Sequence, residues 1–235
     1  MNAVSRSVIK LRGWRSLFAH RYRSLWSEGH FRLAVPTALL FFLASVATNT
    51  SAGVYAGEKA SNSVTDVILS NTRVYDVDGI FVYGVLVLVA FILTLLFINP
   101  KRIPFTLYSL SLFYFIRSIF VSLTHLAPYP TQVVLDFQSK FVTMLFGGGD
   151  QFFSGHTGAP FLMALLFWNE KWLRYIFIVW SLFFGAIVLL GHIHYSIDVF
   201  SAFFITYGIY HLALWTFPKE HAMFMRDERN HPGTF

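Results

Sequence analysis

The chain has 235 residues, 55% of them hydrophobic and only 13% charged, with a formal net charge of +6. A soluble domain carries about twice that charged fraction, and a mean hydropathy of +0.56 with long apolar runs excludes one here. Cysteine is absent, which excludes a disulfide framework and any thiolate metal site.

The first 32 residues are basic: Arg6, Lys10, Arg12, Arg15, Arg21, Arg23 and Arg32 stand against Glu28 alone. Trp14, Leu17, Phe18, Tyr22, Leu25 and Trp26 recur there at helical spacing. The pattern predicts a basic amphipathic helix on an anionic cytoplasmic leaflet, with a solvated tail as the alternative for residues 1–10. The first strong apolar run begins near Leu33, too late and too long for a cleavable signal peptide, so it is expected to remain as an anchor. Six spans follow, at approximately 33–52, 80–99, 104–126, 157–169, 173–191 and 198–217. The expected fold is an all-α membrane protein. A six-transmembrane-helix bundle occupies 33–217, between the cytoplasmic segment 1–32 and a cytoplasmic tail over 218–235.

Basic residues set the expected orientation. Lys101 and Arg102 lie between the second and third spans, Lys171 and Arg174 between the fourth and fifth, and Lys219, Arg226 and Arg229 after the sixth. Loop 53–79 is less basic, with Glu58, Asp66, Asp76 and Asp78 against Lys59 and Arg73. Both termini are therefore expected in the cytoplasm. The positive charge follows topology and is not a nucleic-acid footprint. Stretch 129–150, with Val133, Val134, Phe137, Phe141 and Leu145, reads as a re-entrant or interfacial helix. Gly147, Gly148 and Gly149 would let it turn into the fourth span.

Two polar strings break the apolar pattern: Ser154-Gly155-His156-Thr157 and His194-Tyr195-Ser196-Ile197-Asp198. On this topology both lie at outward ends of spans. Thr157 to Trp168 makes only about 18 Å of helix, which recesses the first string, and Arg117 reaches a similar depth on the third span. Phosphodiester transfer needs a nucleophile, an acid for the leaving oxygen and positive groups for phosphoryl charge. His194 suits the nucleophile, with Asp198 one helical turn on as its orienter, and His156 suits the acid. Ser154 and Gly155 open a helix, so N–H groups from 155–158 suit phosphate oxygens. Arg117 is the best fixed charge for the phosphate, and Lys140 a weaker one.

Each feature alone has a plainer reading. Ser-Gly-His is often a helix cap, and Arg117 is able to pair with a carbonyl or with Asp150. His156, His192, His194 and Asp198 are enough ligands for zinc, although the catalytic reading needs no metal and no cofactor. His125 and His192 read as interfacial polar residues. His20, His30, His211, His221 and His231 fall on the cytoplasmic side or away from the strings.

Residues 149–157, Gly-Asp-Gln-Phe-Phe-Ser-Gly-His-Thr, resemble the C-G-D-x-x-[FY]-S-G-H-T motif of sphingomyelin synthases. Residues 194–199, His-Tyr-Ser-Ile-Asp-Val, resemble their H-Y-[ST]-x-D-V motif. Arg117 to Thr124, followed by Leu126 and Pro128, is similar to the family's R-x-x-x-M-x-x-T-x-L-P segment. The resemblance covers about residues 33–217 and implies the six-helix fold of the wider lipid phosphate phosphatase superfamily, with an outward-facing site. It implies His156, His194 and Asp198 as the catalytic triad. Arg117, Asp150, Ser154, Gly155 and Thr157 are the residues expected around the substrate phosphate. The family cysteine is Gly149 here, and its third-span methionine is Val121. The phosphatase branch's K-x6-R-P motif has no match. Its arginine six residues before the second histidine is Val188, which favours a diester substrate over a monoester.

The expected function is transfer of a phospho-headgroup from a glycerophospholipid to ceramide or a similar lipid alcohol, through a phosphohistidine, with release of diacylglycerol. The alternatives are a lipid phosphate phosphatase or phospholipase C-like hydrolase, and a non-catalytic lipid-binding protein. Expected partners are membrane lipids and not nucleic acid. The expected setting is a multi-pass membrane protein with its site on the non-cytoplasmic side, in a bacterial inner membrane rather than a eukaryotic endomembrane.

Overall fold

A backbone inside a bilayer must satisfy its own hydrogen bonds, and each apolar run does so as a helix. The computed structural model describes residues 22–133 and 152–226, and no strand occurs among them. The helices are α1 (Gly29–Glu58), α2 (Asp78–Ile98), α3 (Ile103–Leu123), α4 (Gly155–Leu166), α5 (Lys171–Leu190), α6 (Ser196–Thr216) and α7 (Pro218–Met225). Pro104 and Pro218 sit in the first turns of α3 and α7, where a missing N–H costs nothing. Short turns join α2 to α3 and α4 to α5, so successive helices run up and down.

Helices stand at all six expected spans, but among the described residues only five stretches are long and apolar enough to cross a membrane. These are α1, α2, α3 with the turn before it, α5 and α6. The chain is thus a multi-pass membrane protein whose regular elements, among the described residues, are all helices. The exception is α4, whose 12 residues make about 18 Å of helix against a core of about 30 Å. Its Thr157, Gly158, Pro160 and Leu162–Leu166 are buried, so its neighbours enclose it instead of lipid. Conversely, α1 runs for 30 residues, past the expected 33–52: no proline follows Asn49 before Lys59, and Gly53 and Gly57 are accommodated within the helix.

Close packing places the site. α1 buries Ala34, Ala38, Ser45, Ala52, Gly53 and Ala56, a stripe of small residues that lets it lie against α3. α3 is the central helix and buries Phe105, Phe113, Arg117 and Val121. An aromatic core of Phe113, Phe153, Phe167, Phe177 and Phe184 surrounds α4. At the end away from the histidines, buried Arg102 pairs with Glu170 at 2.7 Å and lies over the rings of Phe167 and Phe224.

The described part of the amphipathic N-terminal segment is helical over 22–27 and bends at Glu28. There Leu25 packs with Phe31 and Met223, so this stretch is docked on the bundle. Residues 1–21, Arg229, His231 and most of the expected re-entrant segment, including Lys140 and Gly147–Asp150, lie outside the described residues.

Candidate functional site

Three chain segments converge at one end of the bundle: the last turns of α3, the start of α4, and the 191–195 loop leading into α6. Ser154 is the N-cap of α4, and its Oγ accepts from the Thr157 N–H at 3.4 Å and from the Thr157 hydroxyl at 3.2 Å. The Ser154 N–H donates to the main-chain carbonyl of Asp198 at 3.1 Å, which ties one polar string to the other.

Asp198 is fully buried and its Oδ2 receives two donors, the Tyr195 N–H at 3.0 Å and His194 Nδ1 at 3.3 Å. The expected geometry needs a correction here. His194 and Asp198 do not share a helix face, because α6 begins only at Ser196. His194 sits in the loop, and Asp198 in the first turn reaches back to cap Tyr195 and to hold the imidazole. The His156 ring lies 6.2 Å from the His194 ring, centroid to centroid, at 49°. Phe81 of α2 packs on His156 at 4.4 Å. His156 Nδ1 and Asp198 Oδ1 are buried without a hydrogen-bond partner among the described residues.

Arg117 is 3% exposed. Its Nε donates to the Phe153 carbonyl at 2.8 Å and one terminal nitrogen to Asn49 Oδ1 at 3.1 Å. A Cβ at Gly155 would stand 3.2 Å from Arg117 Nε, so the glycine admits the guanidinium beside the first string. Both plainer readings hold in part: Arg117 pairs with a carbonyl, and Ser154 is a helix cap.

The structure thus brings His156, His194, Asp198, Arg117, Ser154 and Gly155 together. Thr157 is adjacent but fully buried, with its hydroxyl turned to Ser154. The Thr157 and Gly158 N–H groups are bonded to Ser154, so the first-turn donors without an intrahelical acceptor by position are those of Gly155 and His156. Asp150 lies outside the described residues. No group of three or more metal-ligating side chains occurs among the described residues.

Sequence reasoning missed four neighbours. Phe81 and Asn49 touch His156 and Arg117 from α2 and α1, and nothing in their local sequence distinguishes them. Tyr195 lies inside a quoted string, but its hydroxyl donates to the Ala127 carbonyl at 2.9 Å and accepts from the Val64 N–H at 3.3 Å. Asp66 binds α6 directly: Ser196 donates to its Oδ2 through N–H and hydroxyl, both at 2.7 Å. Burial alone would raise the Asp66 pKa, but hydrogen bonds from Leu69, Ser196 and Ile68 outweigh it and hold the carboxyl below the usual carboxylate value. Burial lowers the His192 pKa, partly offset by the Asp66 charge.

An enclosed histidine pair, one member of it held by a buried carboxylate, thus stands at one end of a multi-pass helical bundle. Residues 147–215, which contain both polar strings, match the family described as PAP2 superfamily C-terminal. The match supports a place in the PAP2 lipid phosphatase superfamily, whose members are generally phosphatases or phosphotransferases acting on lipid phosphates. It does not reach the sphingomyelin synthase branch. No curated protein and no solved structure matches the chain.

Proposed function

We propose that the protein transfers a phospho-headgroup from a glycerophospholipid to ceramide or a similar lipid alcohol, through a phosphohistidine on His194. The observation that carries this reading is the hydrogen bond from His194 Nδ1 to buried Asp198, with His156 facing the same space. With Nδ1–H committed to Asp198, the lone pair of His194 lies on Nε2, which is the attacking atom. Nε2 forms a bond to phosphorus as the bond to the diacylglycerol oxygen breaks, and His156 gives that oxygen its proton. Asp198 stabilises the ring cation that results. The acceptor hydroxyl then attacks phosphorus, the nitrogen–phosphorus bond breaks, and His156 takes the hydroxyl proton. Arg117 and the first N–H groups of α4 offset phosphoryl charge.

Two features favour a diester over a monoester. Val188, where the phosphatase branch expects arginine, is fully buried and apolar, and its carbonyl accepts the Ile193 N–H at 2.8 Å. Arg102 lies at the opposite end of the bundle, paired with Glu170. A diester carries less charge and needs fewer cations. The basic residues of the Arg102 end favour a cytoplasmic face there and a non-cytoplasmic site at the histidines, with a bacterial inner membrane as the preferred setting. The second reading is a hydrolase on the same scaffold, favoured by the match to a superfamily that includes phosphatases.

The test uses purified protein in detergent with labelled phosphatidylcholine or phosphatidylethanolamine, with and without ceramide. Wild type runs beside His194→Ala, and products are resolved by mass. A ceramide phospho-headgroup species formed with diacylglycerol, and absent in the variant, is the expected result. Headgroup release that ignores ceramide would replace the transferase with the hydrolase.

A further inference from the structure

The loop that carries His194 is roofed. Residues 190–196 are bonded, almost position by position, to two other segments at the same end of the bundle, 61–75 and 125–133. The Tyr75 N–H donates to the Leu190 carbonyl at 2.9 Å, and the Val133 N–H to the Gly191 carbonyl at 3.0 Å. The His192 ring sits between two hydroxyls, with Nδ1 at 2.6 Å from Thr131 and Nε2 at 3.3 Å from Thr72. The Gln132 amide donates to the Ile193 carbonyl at 3.3 Å. Tyr195 bridges both segments through Val64 and Ala127, and Ser196 is held by Asp66.

The two segments are also sewn to each other. Ser61 donates to the His125 carbonyl through N–H at 2.9 Å and through its hydroxyl at 2.8 Å, and Ser70 pairs with Tyr129 at 3.0 Å. Beneath this layer His194 is 3% exposed and Tyr195 1%. Asp66 is the strongest single tie. Its Oδ1 accepts from Ile68 and Leu69 at 2.8 and 3.0 Å, while Oδ2 takes the two Ser196 donors, so one charged group braces the outer segment and pins it to α6.

Shielding matters because the phosphohistidine step admits two acceptors. A lipid hydroxyl and a water molecule attack the same phosphorus in the same way. In each case the nitrogen–phosphorus bond breaks and the acceptor proton passes to His156. The first gives a new phospholipid and the second a free phosphorylated headgroup. Water is far more concentrated than any lipid alcohol, so a transferase must exclude it where the phosphohistidine stands. Resting on the phosphotransfer reading above, we infer that the roof latched by Asp66 and Tyr195 is the element that excludes water from His194. It thereby selects the lipid alcohol as acceptor. Asp66 and Tyr195 are positioning residues and touch no reacting atom.

The experiment measures diacylglycerol, transferred headgroup and free phosphorylated headgroup in one reaction, for wild type, Asp66→Asn and Tyr195→Phe. His194→Ala serves as the blank. Tyr195→Phe removes one hydroxyl and no packing, so it keeps the test available should Asp66→Asn fail to fold. Losing charge-assisted or bridging hydrogen bonds shifts a closed–open equilibrium by about tenfold. The ratio of free to transferred headgroup is expected to rise by about that factor, with diacylglycerol release retained. A general loss of structure would lower both products together and leave their ratio alone. A wild type that transfers to ceramide, with variants that still release diacylglycerol at an unchanged ratio, would overturn the roof and leave the transferase standing. A wild type that releases headgroup to water regardless of ceramide, or releases no diacylglycerol, would remove the transferase itself and the inference with it.

Discussion

Replacing Asp198 by asparagine separates the structural role of this residue from its chemical one. Asparagine keeps the shape and one carbonyl oxygen but lacks the charge, and Oδ2 of Asp198 serves both the Tyr195 N–H at 3.0 Å and His194 Nδ1 at 3.3 Å. The structural loss is a weakened helix start and a missing negative charge in the first turn, together about 1 kcal/mol. That is a melting shift of a few degrees, small enough to leave the chain folded. The chemical loss is larger. If the amide NH₂ faces His194, Nδ1 must accept a hydrogen bond, the proton moves to Nε2, and the attacking lone pair is lost. The ring cation also loses its counter-charge. The equivalent replacement in a serine hydrolase triad costs about 10⁴-fold in rate, so diacylglycerol release should fall about 10³- to 10⁴-fold, equivalent to about 4–5.5 kcal/mol of barrier. The assay pairs product formation with thermal unfolding of the same detergent preparation. Turnover within about tenfold of wild type would refute the assigned role of Asp198. So would a loss of rate that merely followed the loss of fold.

Two further outcomes follow from packing and titration. Gly158→Ala places a Cβ at 2.8 Å from both Phe113 Cε2 and Thr206 Oγ1, in a fully buried layer between α3, α4 and α6. Overpacking of this kind costs about 1–3 kcal/mol, so the melting temperature should drop by several degrees, whereas an unchanged value would mean that the helices part freely. His192 is buried with its pKa below the ordinary 6.5, so the unfolded chain binds its proton first as pH falls. Its contribution to stability is present above pH 6.5 and is lost as pH drops through the folded value. His192→Asn suits the left-handed backbone at φ 52 and should flatten the decline in melting temperature between about pH 7 and pH 5. An equal slope in wild type and variant would refute this.

Much of the site was legible because membrane insertion makes polar residues costly. His156, His194, Asp198 and Arg117 stand out against apolar runs, and an intramembrane ionisable residue asks for a reason. Their convergence could also be anticipated from depth alone, since Arg117 and the start of α4 reach similar heights above the Arg102 end. The cap on α4 was readable from Ser154, because an N-cap depends only on its own turn.

Other features required the tertiary structure. Whether His194 lies inside α6 or just before it depends on where capping starts the helix, and the four-residue spacing to Asp198 fits both arrangements. The failure of α4 to reach spanning length follows from its enclosure by neighbours, which hydropathy cannot register. Asp66, Tyr195, His192, Asn49 and Phe81 act across long sequence separations, on partners fixed only when loops and helices pack. Apolar composition and spacing along the chain determined that this is a helical membrane protein with polar groups at one end. Which loops roof that end, and what holds the imidazole and the guanidinium in place, the folded bundle alone decided. Hydrogen bonds between distant segments leave no periodic trace in the sequence.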